Sequence, residues 1–296
     1  MLQPLIALIE PMMLRLSADP EPPSTPEPEA ANAFRAVEII SGNLHTGLII
    51  LCDHASNALP PEYGSLGLPQ TQLERHIGYD IGAAGVTRAL AARLGAPAVL
   101  SCFSRLLIDP NRGEDDPTLV MRLSDGAVVP GNRHADAAEV ERRIALYHRP
   151  YHRAIEQQID AALAAGVVPA LFSVHSFTPV WRGVPRPWHV ALLWDLDPRF
   201  ARPMIDALAA PGDLIVGDNE PYDGALRNDC LYRHGTARGL PHALIEIRQD
   251  LIADEAGQLA WADRLADLMP ALLARPDMRE ARIFGSRTDA VPPISV

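Results

Sequence analysis

Side chains able to do acid–base or metal chemistry sit at the ends of apolar runs, or inside them, in three places. "CDHASN" supplies Asp53, His54, Ser56 and Asn57 directly after "GLIIL"; "SVHSF" sets His175 after the apolar residues Val168, Ala170, Leu171 and Phe172; "ALIEIRQD" surrounds Glu246 with Leu244, Ile245 and Ile247. "HIGYDIGA" adds His76 and Asp80 just ahead of a helical pattern. Two imidazoles and one carboxylate with an open position form the common ligand set of a catalytic zinc, which takes N and O donors and needs room for a water. His54, Asp80 and His175 fit that set. Each also has a structural reading. Asp53, Ser56 and Asn57 can bond local backbone in a turn, Asp80 can cap a helix N-terminus, and a strand histidine can be satisfied by backbone groups.

A lone carboxylate among apolar neighbours costs several kcal/mol, roughly, so Glu246 needs a partner or a task. The task would be general base, taking a proton from water and passing it to a leaving amine. The alternative is pairing with Arg248, two residues on and on the same strand face. "SRLLIDPNR" brings Arg105, Asp109, Asn111 and Arg112 into a loop after a strand. Asp-Pro-Asn is a turn signal in any case. Functionally, guanidinium groups there would grip a substrate carboxylate and polarise a scissile carbonyl.

Two rival constellations are weaker. His148, His152 and Glu156 recur every four residues and would share a helix face, but Pro150 kinks such a helix, which favours a solvated or inter-helix polar face. Cys230, close to His234, lacks any readable activating base and reads as a small apolar filler.

The elements that must position these residues alternate short strands with helices, the pattern of an α/β layered domain. Strands are expected at 47–53, 96–101, 167–175, 189–195, 213–218 and 242–250. Helices are expected at 81–95, about 135–165, near 198–210 and 257–274. Open α/β sheets build their sites at the carboxyl ends of strands, where His54 and His175 fall. Residues 34–296 are expected to form one domain, preceded by an apolar leader at 1–16 and a Pro/acid-rich, extended linker at 18–31. Pro4, Glu10 and Pro11 interrupt the leader, so neither a signal peptide nor a membrane span is expected.

The chain has 296 residues, a formal charge of −11 and 26 basic residues, every one arginine. No basic block stands out, so nucleic acid is not an expected partner. Any anion site must rely on guanidinium. Cys52, Cys102 and Cys230 are odd in number and widely spaced, which points to a reducing, cytoplasmic setting without disulfides.

Taken in order, "CDHASN", "HIGYDIGA", "SRLLIDPNR", "SVHSF", "LYRHG" and "ALIEIRQD" resemble the N-formylglutamate amidohydrolase family over about residues 45–275. That family is related to the zinc carboxypeptidases and aspartoacylases. The resemblance implies a three-layer α/β fold of the zinc-carboxypeptidase (phosphorylase/hydrolase-like) type, with a mixed central sheet flanked by helices. It also implies one Zn2+ ion and hydrolysis of the N-acyl amide of an acidic amino acid such as N-formylglutamate. By the same resemblance His54 and His175 match the histidine ligands and Glu246 the catalytic glutamate. Asn111 and Arg112 would hold the substrate carboxylate, Arg105 would assist the carbonyl, and Arg233 and His234 would lie near the substrate. One departure concerns the glutamate that the relatives place three residues after the first histidine: here that position is Asn57, a poor zinc ligand, which leaves Asp80 to supply the carboxylate. Two alternatives remain open at this stage. One is a non-catalytic α/β protein binding an acidic metabolite; the other is the same hydrolysis on another N-acyl amino acid or a short peptide.

Overall fold

The computed structural model describes residues 34–289. The leader and linker expected within residues 1–33 lie outside the described residues.

Leu48–Cys52, with all five residues buried, forms a strand covered on both faces, as the continuous apolar run dictates. It belongs to a mixed seven-stranded sheet. The sheet strands are β1 (Val37–Ile40), β2 (Leu48–Cys52), β3 (Ala98–Ser101), β6 (Ala170–Phe177), β9 (Val190–Leu193), β10 (Val216–Asp218) and β11 (His242–Arg248). They are ordered β1-β3-β2-β6-β11-β9-β10. β3, β2, β6 and β11 run parallel, while β1 lies antiparallel to β3 and β9 antiparallel to β11. Two hairpins stand apart from the sheet: β4–β5 (Leu123–Ser124 and Ala127–Val128) and β7–β8 (Val180–Trp181 and Val184–Pro185).

Helices cover both faces. α1 (Gln70–Leu73) is a single turn; the longer helices are α2 (Ala83–Leu94), α3 (Ala137–Arg143), α4 (Arg149–Ala164), α5 (Ala201–Ala209), α6 (Cys230–His234) and α7 (Glu255–Leu273). Alternation along the strands sorts the core into two layers. Ile50, Phe172, Val174 and Ile245 pack with α2, α5 and α7. Ile49, Leu51, Leu171 and Leu244 pack on the other face, with Tyr151 and Ile155 of α4 and Leu231 of α6. An apolar side chain fully buried there contributes about 1.5–3 kcal/mol. On this second face the sheet forgoes that gain at Ser173, His175 and Glu246, all buried and polar. Such a concession has to be compensated by partners or by function.

The sheet strands and long helices read from apolar periodicity are present, with ends shifted by a few residues. The helix expected over about 135–165 is α3 and α4 joined through a π-helical turn at Ile144–His148, and Pro150 falls directly after that turn, in the first turn of α4. β1, both hairpins and α6 are short and lack a long enough pattern to announce themselves. Among the described residues no helix is long and apolar enough to cross a membrane.

Candidate active site

β2 delivers Asp53 and His54 at its carboxyl end. The loop after β3 carries Arg105, Asp109, Asn111 and Arg112, β6 carries His175, and β11 carries Glu246, whose Cα is paired with that of His175 in the parallel ladder. Asp80 arrives on the segment before α2, where its N–H donates to the His54 carbonyl at 2.9 Å. It does not cap that helix. The residue at the helix start is Gly82, in a left-handed conformation (φ 83°), and a Cβ there would collide with the Ile252 carbonyl. The Asp80 carboxylate is thereby left to face inward.

There it meets both histidines. His175 Nδ1 lies 2.8 Å and His54 Nδ1 3.4 Å from Asp80 Oδ2, and the two rings meet edge to face with centroids 4.9 Å apart. One donor atom from each of His54, Asp80 and His175 falls within 4.8 Å of the others, and all three residues are buried. The far nitrogens are equally well defined: His54 Nε2 donates to Asp109 Oδ1 at 2.7 Å, and His175 Nε2 donates to Asp53 Oδ2 at 2.8 Å. Arg105 Nη1, which can only donate, sits 3.3 Å from His54 Nδ1. An imidazole that donates one N–H to a carboxylate and turns the other nitrogen to a common point is the arrangement that orients histidine for a metal. The donor set thus fits a zinc-type cation.

The charges agree. Burial would lower the His175 pKa, yet its hydrogen bonds to Asp53 and Asp80 hold it well above the usual imidazole value. Burial likewise opposes ionisation of Asp80 and Asp109, but His54 and His175 beside the first, and Arg105 and His54 beside the second, keep both below the ordinary carboxylate range. Asp53 accepts from the Tyr151 hydroxyl (2.9 Å) and the Ser173 hydroxyl (2.7 Å) as well as from His175, and stays ionised. Buried anions crowded in this way call for positive charge at their centre. Glu246 is the exception: burial first, and the Asp80 charge second among the raising influences, push it up to about 8. Its Oε2 is buried without a hydrogen-bond partner.

These groups open on a cavity of about 460 Å³ whose wall includes His54, Asp80, Arg105, His175 and Glu246. Asn111 and Arg112 reach the same wall. Asn111 is fixed by Asp109 Oδ1 and by the Cys230 N–H, while Arg112 is fixed by the Asn111 carbonyl and the Thr118 hydroxyl. A pattern characteristic of N-formylglutamate amidohydrolases matches the chain over residues 46–253. The chain belongs to the N-formylglutamate amidohydrolase family. Among solved structures it is similar to a gene product of Agrobacterium tumefaciens, at 34% identity and a TM-score of 0.76, over 81% of this chain and 96% of that one. It also shares its fold with an N-formylglutamate amidohydrolase from Ralstonia eutropha, at 20% identity and a TM-score of 0.55, over 80% of this chain and 96% of that one. No curated protein matches it in sequence.

Two residues expected near the substrate of this family member are not brought to the cavity. Arg233 pairs with Glu156 at 2.8 Å on a partly exposed face. His234 is buried in a separate group, its Nε2 2.8 Å from His152 Nδ1, and His152 Nε2 in turn lies 3.2 Å from His148 Nε2. His148 and His152 thus form a buried polar face between α4 and α6, and Glu156 turns away from them to Arg233. Arg248 pairs with Asp250 and leaves Glu246 alone. Asn57 donates to the Leu73 carbonyl, away from the histidines.

Asp53 and Asp109, which stand in the sequence as turn residues, hold the two histidines. The signal was present: each is a carboxylate at the end of an apolar run, one beside His54 and one within reach of the arginine loop. Tyr222, Asp195 and Asp229 of the cavity wall come from irregular loops with no pattern to flag them. Burial pushes the Asp229 carboxyl up to about 7 even though it accepts the Tyr232 N–H at the start of α6.

Proposed function

We propose that this amidohydrolase uses residues 34–296 as one catalytic domain and cleaves the N-acyl amide of an acidic amino acid, N-formylglutamate first among them, with one zinc ion held by His54, Asp80 and His175. The observation that carries the reading is the pair of imidazoles, each turning Nδ1 toward Asp80 while its Nε2–H is tied to a buried carboxylate. Bound there, zinc supplies Lewis acidity, polarising the acyl oxygen and lowering the pKa of water to ~7.

The protein's own groups do the rest. Glu246, on the cavity wall, takes a proton from the attacking water as its oxygen bonds to the acyl carbon. Glu246 then holds that proton until the amide C–N bond breaks and delivers it to the departing amine. Arg105, anchored on Asp109 at 2.7 Å, keeps Nη1 beside His54, where the acyl oxygen gathers negative charge. Arg112 and Asn111 seat the substrate carboxylate so that the amide meets the water in one orientation. The products are the free amino acid and formate, or the corresponding acid. Cys52, Cys102 and Cys230 are free thiols, which suits a reducing cytoplasm.

The test is Glu246→Gln, assayed by amine release from N-formyl and N-acetyl amino acids alongside metal content. Turnover is expected to fall by ~10²–10⁴-fold with zinc retained. Loss of zinc with the substitution would make Glu246 a ligand and overturn its role as base.

A further inference from the structure

Five consecutive residues of the cavity wall, Tyr222 to Leu226, belong to the irregular loop between β10 and α6. The loop lies directly on the end of β9. A Cβ on Gly224 would fall 2.1 Å from the Trp194 nitrogen, and Asn219 Oδ1 accepts the N–H groups of both Trp194 and Gly224 at 3.0 Å. Further along, the same stretch of chain bears on the arginine loop: the Asn228 amide donates to Asp115 at 3.0 Å, and the Cys230 N–H donates to Asn111 Oδ1 at 3.3 Å. Where this loop sits therefore decides both the shape of the wall and the support behind Asn111.

What holds the loop comes from far along the sequence. Gly285, in a left-handed conformation (φ 78°), turns the chain into a short strap, residues 286–289, which the Ser286 N–H closes on Asp289 Oδ2 at 2.8 Å. From this strap Arg287 reaches two acids of the wall. Its N–H and Nε donate to Asp195 Oδ1 at 3.2 and 2.9 Å; its Nη1 and Nη2 donate to the two oxygens of Asp223 at 3.0 and 2.6 Å. Such a two-pronged grip fixes orientation as well as distance, which a point charge does not. Asp289 adds a third tie, accepting from the hydroxyl of Tyr232, another wall residue, at 2.9 Å. The two halves of the Arg287 bridge are unequal: the Asp195 side chain is 5% exposed and that of Asp223 59%. Water and salt compete with the exposed pair far more than with the buried one. The strap is thus rooted at Asp195, and its hold on the loop is made and broken at Asp223.

We infer that Arg287 is a positioning residue: it latches the wall loop to the end of β9 and so keeps the cavity, and Asn111 behind it, in the shape that binds substrate, without touching substrate itself. The effect on turnover rests on the hydrolase reading above; the latch can be measured without turnover. Ordering of this kind acts on binding, because a loose wall must be fixed again each time a ligand enters.

The experiment compares wild type with Arg287→Met, Asp223→Ala and the double variant. Methionine keeps the apolar stem and the backbone N–H to Asp195, and both positions are exposed enough for the chain to fold without the bridge. Amide hydrogen exchange over residues 219–226 is expected to quicken by ~10-fold or more in each variant while β6 and β11 exchange as in wild type. With N-formylglutamate, KM is expected to rise by ~10-fold and kcat to stay within about twofold. Because the two single changes break one bridge, the double variant should lie within about twofold of Arg287→Met. Unchanged exchange in Arg287→Met overturns the latch whatever the turnover. A loss confined to kcat, a wild-type KM, or effects that multiply in the double variant overturns the positioning role. If wild type does not hydrolyse N-formylglutamate while exchange still quickens in the variants, the hydrolase reading falls and the latch stands.

Discussion

Two groups of histidines are buried on the sheet face that α4 covers, and both gather metal-capable atoms within 4.8 Å: His54 and His175 with Asp80, and His152 and His234 with Cys230. In the first group every imidazole is bonded to acid, an arginine stands over it, and a cavity reaches it. In the second, the nearest neighbours are other imidazoles. His148 Nε2–H is directed at the Arg112 carbonyl at 2.9 Å, which leaves His152 Nε2 to accept and His152 Nδ1–H to donate to His234 Nε2. These contacts link the three rings without a carboxylate hydrogen bond to any of them, and His148 Nδ1 is buried without a hydrogen-bond partner. Burial first, reinforced by neighbouring positive charge, lowers all three pKa values, that of His234 to about 3. Clustered histidine therefore does not define a metal centre. Surrounding carboxylates and a way in for ligand are what support the metal proposed for the first group.

The contrast is sharpest under substitution of one histidine from each group. His175→Ala should abolish both zinc binding and turnover, the latter by ~10²-fold or more. His152→Ala should keep its zinc equivalent and lose stability instead. Zinc lost from both proteins, or from neither, breaks the distinction, and metal analysis after dialysis decides it. A milder version uses the outer layer: Asp109→Asn should weaken zinc by ~10–100-fold through His54, whereas His148→Gln should leave zinc affinity unchanged.

Acid stability gives the smallest effect and a definite sign. An unfolded histidine titrates near ~6.5, while His234 in the fold titrates at about 3. Between those values the unfolded chain takes up a proton that the folded chain refuses, so stability declines as pH falls below ~6.5. At pH 5 this amounts to about 2 kcal/mol for His234 alone. Urea unfolding of chelator-treated protein at pH 7.5 and 5 should show wild type losing about 2 kcal/mol more than His234→Gln over that interval. Equal losses would mean that the buried imidazole is protonated in the folded protein.

The same contrast shows what was legible in the amino-acid order. Apolar periodicity located the parallel strands and long helices, and the strand ends then nominated His54, His175 and Glu246, which do converge. Asp80 followed from the ligand set that two histidines require. The arginine loop was found because Arg105, Asn111 and Arg112 stand next to a strand. His234 and Arg233 were drawn in by proximity along the chain, yet α6 turns both away from the cavity, a direction that five residues of helix do not reveal.

Glu246 and His175 are ladder partners in adjacent parallel strands, and this divides the chain into parts that tolerate changes of length and parts that do not. One residue inserted between Leu244 and Glu246 would swing the carboxylate into the opposite apolar layer. The β7–β8 hairpin and the loop bearing Tyr222 lie outside that ladder. New substrate preferences can therefore arise by lengthening or trimming those loops while the spacing between Glu246 and His175 is inherited unchanged.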